Sequence, residues 1–552
     1  MISNRRYWFL LFLIFLTYLV GMFVTLIEND SAQFAVMAMR MFQENDFINL
    51  FKGPNEYLDK PHMHYWLAAL SYKIFGLHDW AYRIPAILAT LLGAFSCFGL
   101  GKLLYNADTG RLAALIFMTA QTIVLSVIDV RTDAVLTGWT IFAIWQLTAY
   151  IEKKAVLNII LGAFGTGIAF STKGQIAILV IGLPLLCHLA YTRKWKRFLS
   201  WKVLVALVVF GLAIAPMLYA YYHQFDLHPE KIIRGKGSRS GIFFIFWEQS
   251  FERMSGEGIG KNSSDYFFFF HTFLWVFLPW TVIAILAIAE RFKTLSRIKF
   301  AYRPMYEFLT LGGIVLIFIV ISFAQFKLPH YLNIAIPLFS ILTAAYLYDL
   351  QQLFKDKILK LLLGVQYFIL ALVFIVSVLI CFYVFKFDNW LHYVWMIPLM
   401  AVGIRFSMKR EGYYYRIITV SAFSAVILNL VMNVHFYPSL LKYQSGSEMA
   451  KVVAANDIPV DKIYKLSERH TWSLDFYNKQ PVTISSIEGI RGKKDIWVYV
   501  TDEERKLLNQ SGFDWDRQYT QDDFRITRLQ AKFLNPATRK KALGKMHLIH
   551  IY

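Results

Sequence analysis

Long apolar runs occupy most of the chain up to about residue 436. A helix that crosses a bilayer needs about 20 consecutive, mainly apolar residues, and thirteen stretches have that character. They begin near Tyr7, Arg83, Leu112, Ala134, Val156, Gln175, Val203, Phe267, Tyr306, Tyr331, Leu361, Trp390 and Ile417. The pattern predicts about thirteen transmembrane helices, and residues 158–190 form either one broken span or two.

The basic residues between these runs test that prediction. Cytoplasmic loops of membrane proteins are enriched in Lys and Arg. If the N-terminus is cytoplasmic, every basic cluster falls on the same side of the membrane: Lys153 and Lys154; Arg193, Lys194, Lys196, Arg197 and Lys202; Arg291, Lys293, Arg297, Lys299 and Arg303; Lys355, Lys357 and Lys360; Lys409, Arg410 and Arg416. An odd number of spans then puts the C-terminus on the outer side.

The chain after about residue 437 is polar and shows a different pattern. Residues 463–466, 481–484 and 496–500 are typical of short strands, and residues 448–456 and 503–511 are typical of helices. We therefore expect a transmembrane domain of residues 1–436 and a small outer α/β domain of residues 437–552. Trp472, Phe476 and Tyr477 are expected in the core of that small domain.

Composition supports the membrane prediction. Charged residues make up 17% of the 552 residues, compared with about a quarter in soluble chains. The net charge of +20 is spread over short clusters rather than gathered on one face, which argues against a nucleic-acid partner. The three cysteines lie in apolar runs and offer neither a metal site nor a disulfide framework.

The predicted outer loops carry the candidate chemistry. The first, residues 28–82, contains Asp30, an amphipathic stretch at 32–42 that is expected to lie along the membrane interface, and a polar and aromatic cluster at 57–66. A second long outer loop covers residues 223–266. Short charged connections follow apolar runs at 129–133, 171–174 and 327–331. Because all of these lie on one face, their acids and bases are expected to converge.

These residue types suit the transfer of a group from a lipid-linked phosphate. A phosphate leaving group needs cations at low dielectric, and an acceptor hydroxyl needs a base. Asp30 and Asp133 are the candidate bases. The candidate cations are Lys60, Arg131, Lys173, Arg253 and Lys327.

Several of these stretches resemble a known family. Residues 30–35, with Arg40, Met41, Asp46 and Phe47, resemble the first-loop signature of the bacterial aminoarabinose transferases and of the wider protein O-mannosyltransferase superfamily. Further stretches resemble other motifs of that superfamily in the right order: 57–66 with its Lys60-Pro61, 129–133, 172–174, 251–253 followed by 277–280, and 327–331.

The resemblance implies a GT-C membrane fold and an inverting glycosyltransferase. Its partners would be membrane lipids, a polyprenyl-phosphate sugar donor and a lipid, glycan or protein acceptor, met at the periplasmic face of a bacterial inner membrane. Asp30 would be the catalytic carboxylate and Asp133 a second one. The expected substrate-binding residues are Lys60, Arg253, Lys173, Lys327, Tyr331 and Tyr57.

Two departures from the family pattern concern the substrates. Ser31 stands where the family often has Glu, and Gln33 stands where the aminoarabinose branch usually has Arg. Both count against aminoarabinose as the sugar and against a lipid A phosphate as the acceptor. The sequence requires no cofactor. A divalent metal occurs in relatives, and the candidate ligands here are His62, His64 and His435 with Asp59.

Other interpretations of the same residues stay open at this level. Asp30 and Asp133 also suit the caps of helices, Lys60 has Asp59 as a neighbouring ion-pair partner, and Lys173 and Lys327 are long enough to extend toward lipid headgroups. Arg253 has Glu248 and Glu252 nearby as partners. The alternative functions are a ligase or polymerase that uses a diphosphate-linked glycan, a secondary transporter and a non-catalytic scaffold.

Overall fold

The computed structural model describes residues 4–249, 251–252, 265–304, 306–387 and 412–552, together with residues 394, 397, 398, 401 and 405. Most of these residues form helices. The first ten helices are α1 (Asn4–Gly21), α2 (Asp30–Gln43), α3 (Met63–Phe75), α4 (Asp79–Leu104), α5 (Ala107–Thr119), α6 (Gln121–Ile128), α7 (Thr132–Lys153), α8 (Val156–Lys173), α9 (Gln175–Thr192) and α10 (Lys202–Tyr221). The longer helices after them are Phe268–Val276, Thr281–Arg297, Leu309–Phe323, Ile336–Gln352, Asp356–Leu379, Tyr413–Val431 and Ser445–Ala455.

The multi-pass helical fold predicted from the apolar runs is confirmed. Helices occupy twelve of the thirteen predicted positions, and the position near Trp390 lies outside the described residues. Within the described residues, eight helices are long and apolar enough to span a membrane, or nine if α5 and α6, which meet at a 53° bend, form one span. The total of thirteen therefore stays a prediction.

The break inside residues 158–190 produces two spans. Helices α8 and α9 are separated by Gly174 alone, whose φ of +72° lies in the left-handed region that favours glycine. Both helices are long and apolar enough to cross the membrane separately. The turn between them places Lys173, the last residue of α8, where it points into the protein.

Helix α7 lies at the centre of the bundle, between α4 and α8. Gly138 on α7 allows this close approach, because a side chain at that position would overlap the backbone of Ala89 on α4. This packing fixes the N-terminus of α7, which carries Thr132 and Asp133, at the end of the bundle nearest the C-terminal domain.

The predicted interfacial helix at 32–42 is α2, and its environment differs from the expectation. With 14 residues it is too short to span a membrane, but it does not lie with one face exposed either. Ser31 to Met39 are all buried, against α3 and the short helix Trp472–Tyr477. Tertiary packing on several sides replaces the lipid contact that its apolar positions suggested.

The small C-terminal α/β domain is confirmed. Its mixed five-stranded sheet has the spatial order Thr483–Ile484, Ile463–Lys465, Ile496–Thr501, Gly544–Ile551, Arg517–Asp523. The first three strands in this order are parallel, whereas the last two pairings are antiparallel. The predicted helices correspond to Ser445–Ala455 and Asp502–Gln510.

Two features of this domain differ from the sequence prediction. The strands Arg517–Asp523 and Gly544–Ile551 were not predicted, because the first is a largely polar edge strand and the second is interrupted by two histidines. Trp472 and Phe476 are buried, but they pack with α2 and α3 rather than inside the sheet domain. They therefore form part of the junction between the two domains.

The contact of α7 with α4 leads to a prediction. A Cβ at position 138 would lie 2.1 Å from the carbonyl oxygen of Ala89. Gly138→Ala is therefore expected to lower the free energy of unfolding by about 1–3 kcal/mol through overpacking, measured by thermal unfolding in detergent. The control is Gly211→Ala on α10, where a Cβ meets nothing within 4 Å. Equal stability of the two variants would contradict the close approach.

Candidate active site

An open cleft of about 750 Å³ lies at the end of the bundle that faces the C-terminal domain. Its lining residues come from the loops and helix ends that the sequence predicted to converge: Asp30, Gln33, Phe34, Lys52, Tyr57, Asp59, Lys60, Arg131, Thr132, Asp133, Lys173, Phe326, Leu328, His330 and Tyr331. Six of the eight predicted site residues are among them.

The other two predicted site residues lie elsewhere. Lys327 is buried beside the cleft without lining it, and its Nζ lies 5.3 Å from the centre of the Tyr266 ring. This burial argues against the alternative in which Lys327 extends to lipid headgroups, and its predicted role in substrate binding stays a prediction. Arg253 lies outside the described residues.

Asp30 is half exposed to the cleft and is paired on one side only. It is the first residue of α2, and its Oδ2 accepts a hydrogen bond of 2.8 Å from Nη1 of Arg131. Nη2 of Arg131 lies 2.9 Å from Oδ2 of Asp129. The side chain of Asp30 keeps 43% of its surface exposed. Asp30 is therefore the first residue inside α2 and the partner of Arg131, not the helix cap considered from the sequence.

Arg131 holds the two carboxylates in place. Burial alone would lower the pKa of Arg131, but the neighbouring carboxylates of Asp129 and Asp30 outweigh this and raise that pKa. The guanidinium therefore stays charged throughout the physiological range. It keeps Asp30 oriented at the start of α2.

Asp133 and Lys173 form a second, buried ion pair. Nζ of Lys173 donates to Oδ1 of Asp133 over 2.6 Å, and the side chains are only 9% and 3% exposed, respectively. Nε2 of His330 lies 3.6 Å from the other oxygen of Asp133. Nζ of Lys173 is also 4.7 Å from the ring centre of Tyr331. Lys173 is therefore directed into the protein, which argues against the alternative in which it extends toward lipid.

The acids considered as partners of Lys60 and Arg253 form ion pairs with arginines of the second long loop. Asp59 pairs with Arg234. Glu252 pairs with both Arg234 and Arg239, and Glu248 pairs with Arg239. The pair of Asp59 with Arg234 thus connects the loop between residues 223 and 252 to the start of the 57–66 cluster, next to Lys60.

The histidines proposed as metal ligands bind separate partners. Nε2 of His62 lies 2.8 Å from the carbonyl oxygen of Ile48, and Nε2 of His64 lies 2.9 Å from the hydroxyl of Tyr82. His435 contacts the carbonyl of Phe385. In the part of the chain that the structure describes, no three His, Cys, Asp or Glu side chains come together as a metal site would require.

Sequence reasoning did not single out Lys52 and His330 as site residues. Lys52 lies in a small hairpin, Phe51–Lys52 with Asn55–Glu56, in the same loop as Asp30. Burial lowers the pKa of Lys52, although the carboxylate of Asp30 opposes this. Both residues could have been found from their positions in the predicted outer loops, because Lys52 lies in the loop 28–82 and His330 in the connection 327–331.

An apolar groove adjoins the charged cleft. This open groove has an empty volume of about 830 Å³, and it shares Lys173, Phe326 and Tyr331 with the cleft. Its other lining residues come mainly from α9 and from the helix Leu309–Phe323 and the segment after it: Leu136, Ile176, Leu179, Gln249, Val320, Ile321, Ala324 and Ile334. A charged compartment and an apolar compartment therefore meet at Lys173 and Tyr331.

Known proteins share this sequence pattern and fold. The pattern of the dolichyl-phosphate-mannose-protein mannosyltransferase family matches residues 59–219. The undecaprenyl phosphate-α-4-amino-4-deoxy-L-arabinose arabinosyl transferase 2 of Proteus mirabilis is 26% identical over 405 residues, which cover 71% of this chain and 68% of that protein. The corresponding transferase of Pseudomonas aeruginosa strain UCBPP-PA14 is 24% identical over 60% of this chain and 57% of its own length.

A solved structure matches the whole fold. The crystal structure of ArnT from Cupriavidus metallidurans bound to undecaprenyl phosphate superimposes with a TM-score of 0.73 at 17% identity, and the match covers 99% of this chain and 98% of that one. The matched family pattern and these relatives belong to the superfamily that the sequence motifs resemble, and the structural match shows a shared fold. The multi-pass membrane architecture expected from that resemblance is confirmed.

The buried ion pair between Asp133 and Lys173 generates a prediction. Asp133→Asn leaves the Lys173 ammonium without a counter-charge, which is expected to lower the free energy of unfolding by about 3–5 kcal/mol. Replacing both residues, in Asp133→Asn with Lys173→Met, removes the uncompensated charge and is expected to recover most of that loss. Thermal unfolding in detergent measures both effects.

The control for this prediction is an exposed ion pair. Arg40 and Glu44 pair across one turn of α2 at its exposed end, so Glu44→Gln is expected to change stability by less than about 1 kcal/mol. If Asp133→Asn and Glu44→Gln lowered the free energy of unfolding equally little, the buried pair would not stabilise this end of the bundle as proposed.

Proposed function

We propose that the chain is an inverting glycosyltransferase that moves a sugar from a polyprenyl-phosphate donor to an acceptor at the periplasmic face of a bacterial inner membrane. The observation that supports this most strongly is the union of the charged cleft with the apolar groove. A lipid-linked sugar phosphate has the same division, because a long hydrocarbon chain ends in an anion and a polar ring.

The two cavities suggest how the donor lies. The groove beside Ile176 and Leu179 accepts the polyprenyl chain. Two cations face the phosphate: Lys173, which lines both cavities, and Lys60, which lines the cleft. Tyr331 lines both compartments and lies beside the bond between phosphate and sugar. As that bond breaks, negative charge grows on the leaving phosphate, and fixed cations in a site of low dielectric stabilise it.

The proposed reaction is a single displacement. The acceptor oxygen forms a bond to the anomeric carbon while the bond from that carbon to the phosphate oxygen breaks, and its electron pair leaves with the polyprenyl phosphate. Asp30 takes the acceptor proton as general base. Attack from the side opposite the leaving group inverts the anomeric configuration.

Asp30 and Asp133 have different roles in this proposal. Asp30 is half exposed, and only one of its oxygens is bound by Arg131, so the other can accept a proton. Asp133 is buried against Lys173, and it acts by holding that lysine at the junction of the two cavities. Tyr57, Lys52 and His330 complete the lining.

The donor sugar and acceptor follow by analogy. The relatives named above are undecaprenyl phosphate-α-4-amino-4-deoxy-L-arabinose arabinosyl transferases, so this sugar on undecaprenyl phosphate is the first donor to test. Ser31 and Gln33 depart from the aminoarabinose pattern, and Gln33 lines the cleft, which widens the choice of sugar. The acceptor class comprises lipid A, another glycan and a protein hydroxyl. The N-terminus is cytoplasmic and the C-terminal domain periplasmic in this proposal.

The proposal predicts that Asp30→Asn abolishes sugar transfer and leaves the fold intact. Purified protein is given a panel of polyprenyl-phosphate sugars with envelope extract as acceptor, and release of polyprenyl phosphate is measured. Loss of a general base is expected to reduce turnover by about 10²–10⁴-fold.

The matched control is Asp46→Asn, which changes another carboxylate of the same loop. Asp46 accepts backbone hydrogen bonds from Ile48 and Asn49 outside the cleft, and an amide oxygen retains one acceptor, so turnover is expected to stay within about threefold of the wild type. Full turnover in Asp30→Asn would refute the assigned base. Transfer from diphosphate-linked donors alone would favour the ligase or polymerase alternative.

A further inference from the structure

Glu28 is a carboxylate beside the site that the proposed reaction does not use. It precedes Asp30 by two residues, and its two oxygens accept hydrogen bonds from the backbone N–H groups of Trp472, at 2.9 Å, and Ser473, at 3.0 Å. Burial of this carboxylate raises its pKa to about 7. A carboxylate removed from water needs hydrogen-bond donors to replace its lost hydration. The N–H groups of Trp472 and Ser473 supply those donors to Glu28.

The residues around Glu28 are held by the same domain. The N–H of Leu26 donates to the hydroxyl of Tyr477 over 2.9 Å. The N–H of Glu28 donates to Oε1 of Gln444 over 2.7 Å, and Nε2 of Gln444 returns a bond of 2.9 Å to the carbonyl of Leu26. Nδ2 of Asn29 donates to Oγ1 of Thr527. We call residues 26–29, with these bonds, the clamp.

The clamp ends where the proposed catalytic base begins. Asn29 has a φ of 74°, an uncommon conformation for a residue other than glycine, and α2 starts with Asp30 directly after it. The direction in which the Asp30 side chain leaves the backbone therefore depends on the path of residues 26–29. That path is fixed by three separate parts of the C-terminal domain, around Gln444, Trp472–Tyr477 and Thr527.

We infer that the C-terminal domain positions Asp30 through the clamp, and that Glu28 is a positioning residue for sugar transfer. This inference rests on the proposed function for its catalytic half. It explains why a domain that contributes no lining residue to the described cleft is bound so closely to the first loop. Small displacements of a catalytic group lower the rate steeply, so such a clamp controls turnover more than donor binding.

The test compares Glu28→Ala and Glu28→Gln with Glu44→Gln in the full-length chain. Glu44 lies just beyond the far end of α2 and pairs only with Arg40 in the described structure, which makes it a matched control. Two measurements are made on each protein. Hydrogen–deuterium exchange follows the peptides that contain residues 26–33 and 472–477, and steady-state kinetics give kcat and KM for the donor.

Glu28→Ala is expected to speed exchange in both peptides and to lower kcat at least about tenfold, with KM within about twofold. KM is spared because Lys60 and Lys173, which face the donor phosphate, lie outside the clamp. Glu28→Gln keeps one acceptor oxygen and is expected to rescue part of kcat. Glu44→Gln is expected to resemble the wild type in both measurements.

Each contrary result has its own meaning. Unchanged exchange in Glu28→Ala would overturn the clamp itself, whatever the activity. Faster exchange with an unchanged kcat, or a rise in KM alone, would overturn the positioning role. A wild-type protein that transfers no sugar from any polyprenyl-phosphate donor would overturn the proposed function, while the exchange data would still decide whether the clamp exists.

Discussion

The buried ion pair between Asp133 and Lys173 is the contact on which the rest of the site depends. It joins the first turn of α7 to the last residue of α8, so it fixes two neighbouring helices at the same end of the bundle. Neither charge can remain there without the other, because the cost of removing an ion from water is offset only by its partner and hydrogen bonds. Lys173 lines both cavities, so the pair also sets the point where cleft and groove meet.

A second ion pair, between Arg131 and Asp30, extends this arrangement to the first loop. Arg131 directly precedes α7, so the N-terminus of this one helix organises both Asp30 and Asp133. The two pairs differ in exposure: Asp133 is buried, whereas Asp30 faces the cleft. In the proposed reaction, that difference separates the structural carboxylate, Asp133, from the general base, Asp30. The C-terminal domain then holds the chain just before Asp30 from the other side.

The helical bundle could be predicted from the sequence because the length of an apolar run directly limits what can span a bilayer. The assignment of its loops to sides of the membrane by positive charge stays a prediction. Six site residues met as expected since their loops share one face. Other features depend on packing between distant segments. No local sequence pattern predicts the burial of α2, the packing of Trp472 against it or the pairing of Asp59 with Arg234. Arg517–Asp523 was missed because an exposed edge strand can be almost wholly polar.

The most direct test of the account is a structure of the full chain with polyprenyl phosphate bound. The account predicts that the phosphate lies in the cleft, in contact with Lys60 or Lys173 and next to Tyr331, and that the chain follows the groove past Ile176 and Leu179. A phosphate bound elsewhere on the protein, with both the cleft and the groove empty, would contradict the assignment of this site.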